Sequence, residues 1–215
     1  MNSRQAERIQ WVALTVIGLV AGLALALPLG IPIFAIVGAM AGTPIVLGIV
    51  GLSLGTAQWP IIRRHLAPSG WWMVVSALGM ALGLTAGVTL VEQVGRALTG
   101  GQVNFRMLGV VARAGSFGVI GILAGVSLGL AQWLVLRRHA PGCKAWIGVN
   151  AWSLGAGLAC GSILADALVP RSGSLASTAI LLVTGSAIAG ACTARALGKI
   201  FPPRRHGASA SPAHG

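Results

Sequence analysis

Six stretches of this sequence, 11–27, 43–62, 71–91, 115–136, 145–165 and 176–194, contain no charged side chain and are rich in Ala, Val, Ile, Leu and Gly. As helices, each is roughly long enough to cross a hydrocarbon layer about 30 Å thick. A lipid-exposed backbone must satisfy its own hydrogen bonds, so helix is the conformation these runs dictate. A membrane barrel would alternate apolar and polar residues with period two, and no such alternation is present. Charged residues make up 8% of the chain, against about 25% in a soluble domain. The expected fold class is all-α: a polytopic transmembrane bundle of about six helices.

The runs are not independent. Leu54–His65 reads LGTAQWPIIRRH and Leu128–His139 reads LGLAQWLVLRRH, 74 residues further on. The same offset relates Trp72 to Trp146, Ser76 to Asn150, Gly83 to Gly157 and Glu92 to Asp166. Residues from Trp11, Trp72 and Trp146 share the pattern W-x3-[T/S/N]-x2-[G/S]-x3-G-L. Arg4 and Arg8 followed by an apolar run and Ala24-Leu25-Ala26 resemble a cleavable signal, but a discarded peptide has no reason to carry the pattern of retained helices. The last run matches weakly, with Thr193 at the glutamine position and neither the Trp nor the His. The expected organisation is an arm at 1–8, one membrane domain over 9–199, and a disordered tail at 200–215. Within the domain, three parallel helical hairpins are expected at about 9–65, 71–139 and 145–199, with a tight turn over Pro28–Pro32, a kink near Gly42-Thr43-Pro44 and a long loop over 92–108.

Charge supports a topology. Arg4, Arg8, Arg63, Arg64, Arg137, Arg138, Lys144, Arg195, Lys199, Arg204 and Arg205 fall at one end of a six-span bundle, and Arg96, Arg106, Arg113 and Arg171 at the other. The excess of Lys and Arg places the first end, with both termini, in the cytoplasm of a bacterial inner membrane. The net charge of +12 is thus a topology signal. It does not form the single basic patch interleaved with aromatics that nucleic acid requires.

Glycines recur at i, i+4, among them Gly51/Gly55, Gly79/Gly83, Gly125/Gly129 and Gly157/Gly161. On a membrane helix such rows let backbones approach closely. Thr15, Ser76 and Asn150 occupy one repeat position, and Gln58, Gln132 and Thr193 another. Both sets fall on or near the glycine face, so an inner polar layer is expected. It either ties helices together, at about 0.5–1 kcal/mol per bond, or lines a cytoplasm-facing pocket. Trp59, Trp72, Trp133 and Trp146 flank the basic loops and are expected at the headgroup level. Arg63, Arg64 and His65, with Arg137, Arg138 and His139, are expected to reach lipid phosphates. Glu92, Arg106, Arg113 and Asp166 are expected to pair at the opposite rim, where an unpaired charge is costly.

No Walker loop, H-E-x-x-H or C-x-x-C is present, and the chain has three acids in all. No catalytic residue, metal site or cofactor is expected. Cys143, Cys160 and Cys192 read as isolated small hydrophobes.

The phrase L-G-x-x-Q-W-x3-R-R-H, followed by W-x3-[S/N] with small-residue spacing, resembles uncharacterised bacterial multi-pass membrane proteins that repeat a similar pattern. The resemblance covers most of 48–161. It implies a small helical membrane protein and carries no activity. Pro60, where the second copy has Leu134, and the missing QW of the last run depart from it. The expected function is a non-enzymatic structural or interaction bundle. Its partners are the bilayer, anionic lipid headgroups, and a second copy or another membrane protein. The alternative is a small transporter, channel or lipid-binding protein.

Overall fold

The structure, a computed structural model, describes residues 3–66, 70–100, 108–140, 142–169 and 175–201. They form five α-helices: α1 (Ser3–His65), α2 (Trp71–Thr99), α3 (Val110–Leu136), α4 (Ala145–Leu168) and α5 (Leu175–Ile200). No strand occurs among the described residues. All five helices are long and apolar enough to cross a membrane.

The 63 residues of α1 are not one rod. Gly38 has φ 74° and ψ 169°, a conformation open to glycine because it lacks a Cβ. There the chain turns back, and Gly18 and Gly22 lie against Leu54 and Val50 of the same element. This corrects two expectations. Helix continues through Pro28, Pro32 and Pro44, and the reversal falls at Gly38. A proline removes one N–H and bends a helix, whereas reversal needs a residue that leaves the helical region altogether. From Ser3 onward, segment 1–8 is helical and forms the first turns of α1. The loop expected over 92–108 is helical as far as Thr99, where Gly100 (φ 68°) closes α2 and donates its N–H to the Arg96 carbonyl. The tail from Pro202 lies outside the described residues.

Each helix packs on the next, and α5 returns to α1, so the elements close into a ring. Glycine lies at every contact. Gly51 and Gly55 face α2, Gly79 and Gly83 face α3, Gly125 and Gly129 face α4, Gly157 and Gly161 face α5, and Gly190 faces Val12 and Thr15 of α1. Many large apolar side chains point outward, as at Ile36, Met40, Val111 and Trp152. Lipid tails are as apolar as a leucine core, so burying large side chains gains little there. Close backbone packing holds the helices together.

The glycine contacts leave no room for a methyl group. A Cβ at Gly83 would lie 2.6 Å from the Ala124 Cα and 2.8 Å from the Leu123 carbonyl oxygen. Gly83→Ala is expected to lower the unfolding midpoint in detergent, at about 1–3 kcal/mol for overpacking. Gly148→Ala, with nothing within 4 Å of the added carbon, is expected to leave the midpoint unchanged or raise it. Equal effects of the two changes would show that the glycine rows do not set the helix spacing.

Candidate functional site

Near the ends of the helices that carry the Arg-Arg-His sequences, three tryptophans meet inside the bundle. Trp11, Trp72 and Trp146 stand near the starts of α1, α2 and α4 and are at most 1% exposed. The Trp146 ring meets Trp11 edge-on at 6.3 Å and lies tilted against Trp72 at 6.2 Å. Aromatic pairs favour such arrangements over a face-to-face sandwich.

Each indole N–H has a partner within the protein. Trp72 donates to the Gln58 Oε1 at 3.3 Å and Trp146 to the Gln132 Oε1 at 3.0 Å. Trp11 donates to the Thr193 Oγ1 at 2.9 Å. An indole can only donate, so the glutamine oxygen faces it and the amide nitrogen faces the other way. That nitrogen donates across to a second helix segment: Gln58 to the Thr15 hydroxyl at 3.1 Å, Gln132 to the Ser76 hydroxyl at 3.0 Å. Thr193 has no amide to extend, and its hydroxyl donates to the Ala189 carbonyl. Asn150 turns back along α4 to the Trp146 carbonyl at 2.9 Å.

Thr15, Gln58, Ser76, Gln132, Asn150 and Thr193 are all buried. All but Ser76 border a cavity of about 20 Å³, room for roughly one water molecule.

The burial of Trp72 and Trp146 corrects their expected place at the headgroups. Their indoles are satisfied from inside, so enclosing them leaves no polar group stranded. Trp59 and Trp133 are half-buried, each under a cation, with Arg63 at 4.8 Å and Arg137 at 5.1 Å from the ring centres. Arg64 and Arg138 are exposed. The two histidines of the repeated phrase have different surroundings. The His65 Nε2 lies 2.8 Å from the Glu7 Oε1, and its ring stacks on Phe201 at 4.7 Å. The His139 Nδ1 lies 3.3 Å from the Val135 carbonyl. No group of three potential metal ligands exists among the described residues.

At the other end, the Arg113 Nε lies 3.0 Å from the Asp166 Oδ2, and its Nη2 reaches the same oxygen, linking α3 to α4. Glu92 shares a repeat position with Asp166 yet pairs within its own helix, with Arg96 at 3.4 Å. Arg106 lies outside the described residues. The i, i+4 spacing of Glu92 and Arg96 is a signal the sequence carries. The Glu7–His65 pair, 58 residues apart, has no such signal.

No protein-family model matches the chain, and neither a curated protein nor a solved structure was found similar to it.

The glutamine bridges are open to test. Gln132→Leu strands the Trp146 N–H, and the expected loss is about 1–3 kcal/mol. Adding Trp146→Phe removes the stranded donor, so the double variant is expected to lose less than the sum of the single changes. Strict additivity in a double-mutant cycle would mean the bond contributes nothing. Separately, burial pushes the Cys143 thiol up, against the opposing pull of hydrogen bonds from its own backbone and from Trp133. Its reactive thiolate is therefore scarce at neutral pH. Maleimide is expected to modify Cys143 only slowly at pH 7.5 until the protein is denatured, and mass spectrometry of the labelled chain reads this directly.

Proposed function

We propose that this chain is a non-enzymatic membrane bundle of six spans, built as three parallel hairpins and closed on itself. In this reading the reversal at Gly38 makes two spans of α1. The hairpins are then α1 alone, α2 with α3, and α4 with α5. What supports it is the recurrence of one bonding pattern. Gln58 joins Thr15 to Trp72, and Gln132 joins Ser76 to Trp146 in the same way 74 residues later. Thr193 takes the third place, and its bond from Trp11 joins the last hairpin to the first. The resemblance to bacterial multi-pass membrane proteins with repeated LG-x-x-QW hairpins belongs to the same reading, with both termini in the cytoplasm of an inner membrane.

One observation carries the structural role. The inner polar side chains all have hydrogen-bond partners within the protein, around a space of about 20 Å³. A transporter or channel needs a vestibule at that place, and the hydroxyls and amides that would line it are already paired. The basic loop residues then act as anchors on anionic headgroups, and the apolar outer surface takes lipid, a second copy or another membrane protein.

Cysteine accessibility tests the topology. In a variant lacking Cys143, Cys160 and Cys192, Thr99→Cys is expected to react with an impermeant thiol reagent added outside intact cells. Asn2→Cys and Ser69→Cys are expected to react only after permeabilisation. Labelling of Asn2→Cys and Ser69→Cys from opposite sides would contradict a double crossing by α1, and the fully reversed pattern would overturn the orientation. Ion or solute flux through vesicles containing the purified chain would overturn the structural role.

A further inference from the structure

The three acids of the chain each have a cationic partner or a histidine: Glu7 with His65, Glu92 with Arg96 and Asp166 with Arg113. None is left for the cations at the far end of α5. There Arg195 and Lys199, one turn apart, line a groove of about 330 Å³ between α4 and α5. Its remaining walls are mainly apolar or small, including Val149, Trp146 and Ile200. Arg195 stands where the alignment of the helix ends places Pro60 and Leu134, so a cation at this level is peculiar to the α4–α5 pair. The start of α4 also borders the groove, through Gly142, Cys143 and Ala145, and adds the positive end of a helix dipole.

Position along α5 is read from the tryptophan layer. Thr193 bonds to Trp11, so Arg195 lies about 3 Å and Lys199 about 9 Å further along α5, at about 1.5 Å per residue. Two cations at that separation bracket a single phosphate, while the apolar walls suit the first carbons below it. A guanidinium offers planar paired donors to phosphate oxygens, and an ammonium supplies a point charge. We propose that this groove binds the phosphate of an anionic phospholipid between Arg195 and Lys199. The inference rests on the membrane-bundle reading and adds to it a specific site, distinct from the general attraction of basic loops to a charged leaflet.

The test uses the full chain purified in an uncharged detergent, with dioleoylphosphatidylglycerol, dioleoylphosphatidylcholine or inorganic phosphate added. Phosphatidylglycerol at a hundredfold its Kd is expected to raise the unfolding midpoint by about 5–10 °C, and phosphatidylcholine to leave it unchanged. Arg195→Gln with Lys199→Gln should abolish most of the rise. Arg204→Gln with Arg205→Gln removes the same charge from the same end of the chain and should keep it. The swapped pair Arg195→Lys with Lys199→Arg should retain most of it, separating loss of the site from loss of folding. An undiminished rise in the glutamine pair, or equal loss in both glutamine variants, would overturn the site. An equal rise with millimolar inorganic phosphate, abolished by the same variant, would overturn the lipid in favour of a soluble anion. Absence of any sidedness in the cysteine labelling would remove the membrane reading itself. A sound topology with an undiminished lipid shift would remove only this site.

Discussion

A glutamine amide accepts on one side and donates on the other, and in this bundle two of them are used as two-ended links. Gln58 and Gln132 each hold an indole N–H with the oxygen and a hydroxyl with the nitrogen. In an apolar surrounding, every polar atom left without a partner carries a desolvation cost. A link that satisfies three groups at once therefore fixes three helix segments relative to one another. The placement of Trp72 and Trp146 and the smallness of the central space follow from that requirement.

The glycine rows are what let those links reach. A bond of about 3 Å between side chains as short as Ser76 and Gln132 needs helix axes close together, and Gly79 and Gly83 on α2 bring that helix against the backbone of α3. The same rows explain why small residues lie between helices while many large aliphatic side chains face outward. Cohesion comes from contact and from polar pairing, since the surrounding lipid gives no hydrophobic incentive to pack.

The charges divide by neighbourhood. Arg113 and Asp166 are mostly buried, at 11% and 14% side-chain exposure, and neutralise each other where neither would be tolerated alone. At the other end the cations greatly outnumber the acids, with Arg63 and Arg137 resting on tryptophan faces and Arg195 and Lys199 bordering a groove. A helical bundle with so few acids leaves its positive charge to be balanced from outside.

Sequence alone determined the all-helical character and the apolar reach of the helices, because uncharged runs of this length leave a backbone no other way to satisfy itself in lipid. It also determined which residues are small and polar on the inward faces, since i, i+4 spacing is a local property. Tertiary structure decided what those faces meet. Tryptophan beside a basic loop suits a membrane surface and a buried pair equally well by composition. Whether Trp72 and Trp146 lie inside depends on a glutamine 14 residues away being turned toward each of them. Four prolines and several glycines in α1 each offered a place to turn, and Gly38 was selected by the packing of Gly18 and Gly22 on Leu54 and Val50. His65 found Glu7 and Phe201 through the return of distant chain ends to one another. Such contacts are set by where helices end in space, and no local pattern of residues encodes that.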